Sequence, residues 1–308
     1  MKYSGAGIIL LSLFFVFLWS SGWIGSKYAL GYSGTFTLLM WRYVLVVVTL
    51  AVLVTLFKAW RPVDSNEMMA HFWVGILSHA IYLSTSLGAI DLGVSVGLVA
   101  FVLALQPLIT AVISAPLTGE TVSLRQWIGL LLGLFAVLLV VGDRLALGGS
   151  PFAYSLLLVS TLGISIATVI SRRLELLAQK RQQPAIPILL MLFLHCVGAL
   201  VLIIPIAGFL EGFNATWGEP LVFSITWLAW VVSLGAYGLM FLLLRKLPAI
   251  QVSCLLYLSP PATMVIAYFA FGEQLSSVDL LGLLVAAVAV WIVSAPELRQ
   301  NKLAIESG

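Results

Sequence analysis

Arg42 is the one basic side chain that falls well inside a long apolar stretch of this sequence, and His79 and His195 lie near the middles of two others. Burying an ionisable group among apolar residues is costly, so such a group marks a place where chemistry is wanted. A guanidinium at that depth can grip a carboxylate through a charged, forked hydrogen bond. It can equally pair with a backbone carbonyl or snorkel toward water, and snorkelling suits Lys27, at the end of its apolar run. Each histidine is either a neutral, hydrogen-bonded packing group or part of a proton relay or pH-sensitive gate, since imidazole titrates near neutrality. No carboxylate sits at similar depth. His71, His79 and His195 are not at ligand spacing with Cys, Asp or Glu, so no metal site is expected. Cys196 and Cys254, both in apolar runs, read as small packing residues and not as a disulfide.

Further polar and aromatic groups share that depth. Gln106 and Ser259 each precede a proline, Pro107 and Pro260, inside an apolar run. An interior proline removes a backbone hydrogen bond and kinks a helix, and the freed carbonyls can line a polar cavity. Trp19, Trp23, Tyr82, Tyr237 and Tyr257 also lie deep. Singly each is a packing residue; together they outline a cavity that stacks on an apolar or aromatic side chain. Glu120 and Glu273 lie at the ends of runs, each followed three residues later by a serine, and Ser123 with Gln126 reads as a capping box. Their role is either to close a helical hairpin or to act at a gate.

The elements that position these residues follow from composition. Hydrophobic residues make up 62% of the 308 positions and charged residues 9%, with mean hydropathy +1.14. A water-soluble fold could not hide that much apolar surface, so lipid must be the solvent for most of the chain. Runs long enough to cross a bilayer as helices lie near 6–26, 35–57, 68–88, 94–115, 124–142, 151–171, 186–207, 225–244, 249–271 and 278–295. Their continuity excludes a β-barrel, which would show short alternating segments. The fold class expected is therefore an all-α integral membrane protein of ten helices. Twelve of the fifteen Lys and Arg residues fall in loops on one side and only Lys27 and Arg144 on the other, with Arg42 inside a span. By the positive-inside bias both termini are cytoplasmic.

The chain also repeats itself. A shift of 153 residues lays Leu105–Val137 on Leu258–Val290 with thirteen of thirty-three positions identical, including Pro107 on Pro260, Gly119–Glu120 on Gly272–Glu273, Ser123 on Ser276 and Gly129 on Gly282. Two halves follow, 1–148 and 149–296, with a cytoplasmic tail at 297–308. Each half holds five spans, an odd number, so the second enters the membrane inverted. Inverted repeats characterise secondary transporters, whose substrate site lies near the midplane between the repeats. The Gly129-x-x-x-Gly133 pattern recurs as Gly282-x-x-x-Ala286 and marks close helix packing of spans five and ten, away from any transport path.

These residues resemble the drug/metabolite transporter superfamily in its EamA-type branch. The resemblance lies in Ala104-Leu-Gln-Pro-Leu-Ile-Thr-Ala with Gly119-Glu120, Ser259-Pro260 with Gly272-Glu273, Trp19-Ser-Ser-Gly-Trp-Ile-Gly-Ser-Lys27 and Trp41-Arg42-Tyr43. It implies a transporter of the bacterial inner membrane that exports amino acids or related small metabolites. The small multidrug-resistance relatives carry a proton-binding glutamate in the first span; this chain has none between Gly5 and Ser26, which counts against a multidrug or toxic-cation exporter, the alternative. A lipid-handling protein is a more distant one. No cofactor is expected. No nucleotide-binding G-x-x-x-x-G-K-[ST] is present, no catalytic triad or carboxylate pair lies at membrane depth, and no basic surface suits nucleic acid. The expected partners are a small-molecule substrate and the lipid bilayer, and the chain is read as a monomer, with a homodimer as the other state.

Overall fold

The computed structural model describes residues 5–29, 31–94, 96–142, 150–271 and 276–306. Ten helical rods follow one another in the chain. They are α1 (Gly5–Ala29), α2 (Thr35–Leu56), α3 (Ser65–Asp91), α4 (Val96–Leu103 and Gln106–Thr118) and α5 (Leu124–Val141). After these come α6 (Pro151–Lys180), α7 (Ile188–Glu211), α8 (Glu219–Leu244), α9 (Ala249–Cys254, Leu255–Leu258 and Ser259–Phe271) and α10 (Ser277–Glu306). Among the described residues, nine rods are long and apolar enough to cross a membrane and the tenth, Leu124–Val140, is shorter. The expected spans and the helices agree, except that α6 continues past 171 to Lys180, making helix of half the loop expected there, and α10 continues past 295 to Glu306, making helix of most of the tail expected at 297–308. The expected boundary at 148/149 and Gly272–Glu273 lie outside the described residues.

In lipid every backbone polar group needs an internal partner, which favours helices. Where these helices depart from α geometry, neighbouring hydroxyls take up the slack. Residues Ile76–Ile81 of α3 form a π-helical stretch. Two of its carbonyls, and that of Tyr82 just after it, accept from three other helices: Ser78 O from Tyr237 Oη at 2.8 Å, His79 O from Tyr43 Oη at 3.2 Å and Tyr82 O from Ser160 Oγ at 2.7 Å.

Two more departures fall at matching places. α4 is broken at Ala104–Leu105, and in α9 the stretch Leu255–Leu258 tightens to 3-10 geometry before Ser259. Pro107 is therefore the second residue of a new helical segment and not a mid-helix kink. In a first turn its missing N–H costs nothing, because that position has no helical partner. Pro260 occupies the same place in its own segment. Hydroxyls of α6 meet the broken turn, Thr161 Oγ1 donating to Val102 O and Ser165 Oγ to Gln106 O, each at 3.4 Å.

The helix ends are capped as the residues suggest. Ser123 and Gln126 form the capping box of α5. Ser276 and Asp279 repeat it at the start of α10: Ser276 N donates to Asp279 Oδ2 at 2.9 Å and Asp279 N to Ser276 Oγ at 3.2 Å.

Glycine lets two pairs of helices approach closely, α5 with α10 and α3 with α7. A Cβ added to Gly129 of α5 would lie 3.2 Å from Ala289 O of α10; one added to Gly282 of α10 would lie 3.2 Å from Ala136 O of α5. These contacts map onto each other under the 153-residue shift, since 129 and 136 become 282 and 289. On α3 and α7 the approach is closer still. A Cβ on Gly75 would collide with the backbone of His195, and one on Gly198 with the carbonyl of Phe72. That crossing decides which residues of α3 and α7 meet.

Candidate functional site

A cavity of about 200 Å³ opens between α1, α3 and α4 on one side and α9 on the other. It is lined by Trp19 and Trp23, Tyr82, the start of α4 from Val99 to Gln106, and α9 from Leu256 to Met264 including Ser259, Pro260 and Thr263. The breaks in α4 and α9 both border it, so Gln106 and Ser259 are exposed to it by the ends of two half-helices. Ser259 Oγ also accepts from Ser20 Oγ of α1 at 3.1 Å. The walls are mostly apolar and aromatic, with Trp19 stacked on Tyr82 at 6.1 Å between ring centres.

Arg42 lies behind this cavity. It lines a smaller cleft of about 30 Å³ that shares Trp19, Trp23 and Tyr82 with the larger one and adds Tyr237. Its Nε donates to Ser233 Oγ on α8 at 2.8 Å, its Nη2 has no partner, and its guanidinium carbon lies 5.3 Å from the Tyr43 ring centre. Arg42 is 2% exposed, and among the described residues no carboxylate pairs with it. A buried guanidinium with a free fork is a receptor for an anion.

His79 and His195 line neither cavity. Instead the tight α3–α7 crossing gathers all three histidines into one column. Tyr43 Oη lies 3.2 Å from His79 Nδ1, the His79 and His195 ring centres are 5.9 Å apart, and His195 Nε2 lies 3.1 Å from His71 Nδ1. His79 also packs on Tyr237 with ring centres at 4.0 Å. His71, which the sequence reading set aside, thus joins the other two. The available signal was its spacing: His71 and His79 are about two turns apart on one helix. Among the described residues no group of three His, Cys, Asp or Glu side chains is arranged to hold a metal ion.

Tyr257 is buried on another side of α9, where its ring sits against Gly133 of α5, and its hydroxyl has no partner. Glu120, past the last turn of α4, forms an ion pair with Arg172 of α6: Arg172 Nε and Nη2 both reach Glu120 Oε1 at 2.8 Å. Arg172 Nη1 donates to Leu244 O at the end of α8, and Ala249 N at the start of α9 donates to Glu120 Oε2 at 3.4 Å. One ion pair therefore ties four helices together, at the opposite end of α4 from the cavity. Read from sequence, Arg172 was only one of the loop charges that set orientation. At the other end of the molecule Glu211 of α7 caps α2, accepting from Phe36 N at 2.9 Å and Thr37 N at 2.6 Å.

A helical membrane bundle with a cavity between two sets of helices, each containing a broken rod, defines the class as a membrane transporter. The chain belongs to the EamA-like transporter family, whose pattern it matches twice, over residues 6–142 and 151–295. It is 26% identical over 307 residues to a WAT1-related chloroplastic protein of Arabidopsis thaliana, a match covering 94% of this chain and 69% of that one. A solved crystal structure superposes with a TM-score of 0.75, covering 96% of this chain and 99% of its own at 17% identity, which shows the fold alone.

Proposed function

We propose that this protein is a secondary transporter of the bacterial inner membrane that exports amino acids or related small amphipathic metabolites by alternating access. The observation that carries this reading is the position of the 200 Å³ cavity at the seam of the repeats, bordered by the broken turns of α4 and α9. With five helices in each, the halves, taken as 1–148 and 149–296, are read as entering the membrane in opposite senses, a reading that the two family matches support. Broken helices at such a seam supply the substrate site in transporters of this architecture. The aromatic walls take the side chain of the substrate, Gln106 and Ser259 its polar atoms, and the free fork of Arg42 its carboxylate.

The Glu120–Arg172 tie closes the cytoplasmic end, where the basic loops and both termini lie. With the cavity toward the other end, this conformation faces outward. Release of the tie, with repositioning of the half-helices at Pro107 and Pro260, opens the opposite state. Counterflow of a radiolabelled amino-acid mixture in proteoliposomes tests the reading. Exchange that is saturable and lost when Ala104 is replaced by Trp supports it; movement of lipid probes with no solute exchange refutes it.

A further inference from the structure

We infer that the solute has a second, inward-facing site between the second segment of α4 and the first segment of α9. It is closed here by Ser253 on Thr110, and it opens as the outer cavity shuts. This deepens the transport reading above and rests on it.

The segments of α4 and α9 keep the 153-residue register of the repeat. Their first segments begin at Val96 and Ala249, and their second segments at Gln106 and Ser259. The outer cavity lies where the first segment of α4 faces the second of α9, with Ala100 on one wall and Thr263 on the other. Shifted forward by 153, Ala100 becomes Ser253; shifted back, Thr263 becomes Thr110. These two images touch: Ser253 Oγ donates to Thr110 Oγ1 at 3.2 Å, and both residues are buried. Leu103 and Leu256 are images of each other and both line the cavity, at the breaks. One kind of contact surface is therefore open on one side of the breaks and shut on the other.

The enclosing helices correspond as well. The outer cavity is bounded by α1, α3, α4 and α9. In the repeat α6 and α8 stand for α1 and α3, while α4 and α9 stand for each other. The image of the cavity is thus bounded by α4, α6, α8 and α9. These are the four helices that Glu120 and Arg172 tie together, through Leu244 O and Ala249 N. Inverted repeats change state by rocking of one half against the other around a fixed site, so release of this tie parts Ser253 from Thr110 while the outer walls close.

The closed seam holds polar groups that packing does not need. Ser114 lies one turn beyond Thr110 on the same face of α4, and Gln251 lies in the turn of α9 that carries Ser253; both are buried, and the Gln251 amide nitrogen has no partner. An unpaired buried donor is costly, and a wet open state satisfies it. Ser114 and Thr118 direct their hydroxyl hydrogens to their own helix, at Thr110 O and Ser114 O, 2.7 and 2.8 Å away. Their oxygens are left with lone pairs to accept. Acceptors suit the ammonium group of an amino acid, while Arg42, beside the outer cavity, offers donors to its carboxylate.

The test uses the full chain in proteoliposomes, with Cys196→Ala and Cys254→Ala as background and the radiolabelled amino-acid mixture in counterflow. Thr110→Cys with Ser253→Cys places two thiols where the hydroxyls now touch. Oxidation to the disulfide is expected to cut exchange by at least nine-tenths relative to the reduced form of the same variant, and dithiothreitol to restore it. A disulfide that forms and leaves exchange unchanged overturns the inner site, and the transport reading stands. No exchange of any label by the wild type overturns both. Should no disulfide form, Ser114→Cys in the same background decides. A charged thiosulfonate supplied on both sides of the membrane should modify it at least tenfold faster during exchange than without solute. Val112→Cys, on the exposed, lipid-facing side of α4, should show no such acceleration. Exchange that continues without acceleration at Ser114→Cys overturns the inner site.

Discussion

Arg172 binds Glu120 with two of its nitrogens on a single carboxylate oxygen, both at 2.8 Å, and spends its third on the last carbonyl of α8. The other carboxylate oxygen faces the first turn of α9. A charge pair that is only 10% and 20% exposed is dear to break from one side, because the survivor keeps its desolvation and loses its partner.

Arg172→Ala is accordingly expected to open this end of the bundle. A cysteine placed at Ser253, buried one turn into α9, should then react with a polar maleimide at least tenfold faster than in the wild-type background. The melting temperature should fall by an amount equivalent to about 2 kcal/mol. The charge swap Glu120→Arg with Arg172→Glu should recover part of both losses, which a general loosening of the bundle would not.

Arg42 makes one strong contact, to Ser233, and offers the rest of its fork to the small cleft. Removal of a charge-assisted hydrogen bond costs about 1.5–3 kcal/mol, so Arg42→Ala is expected to weaken carboxylate substrates by about tenfold to a hundredfold. The matching amide or decarboxylated amine should be almost unaffected. Equal weakening of both, measured by competition in counterflow, would show that Arg42 acts only on structure.

Ala104 is 5% exposed and sits on the cavity wall at the break of α4. An indole there fills much of a 200 Å³ space without entering a packed core. Ala104→Trp should stop transport while melting within a few degrees of the wild type. If transport persists at its normal rate, the solute takes another route.

Gly198 faces the carbonyl of Phe72, and a side chain at that point must push α7 away from α3. Overpacking of this kind costs about 1–3 kcal/mol. Gly198→Val should lower the melting temperature and also part His71 from His195, which is visible as loss of their shared proton signal in NMR spectra.

The same crossing explains what the sequence did and did not disclose. The spans were legible because lipid demands continuous apolar runs, and the repeat because Pro107, Gly119, Glu120, Ser123 and Gly129 match in a single register. Trp19, Trp23, Tyr82, Gln106 and Ser259 were legible as cavity residues from depth alone. The histidine column was not, because contact between α3 and α7 is made by Gly75 and Gly198, two ordinary glycines until the helices are placed. Tyr257 was assigned a cavity role from depth, but depth does not say which way a side chain points. The 3-10 turn of α9 rotates it onto Gly133. Arg172 was hidden differently: the run to Lys180 reads as a charged loop, and only its helical continuation brings the guanidinium back to Glu120.

The seam between α5 and α10 is self-matching: Gly129 meets Ala289 as Gly282 meets Ala136. That is how two identical subunits pair about a twofold axis. The contact of α5 with α10 is thus built like the contact between two like subunits. Co-expression of 1–148 and 149–308 as separate chains should yield a 1:1 complex that withstands purification, and its failure to form would show that the linker supplies more than proximity.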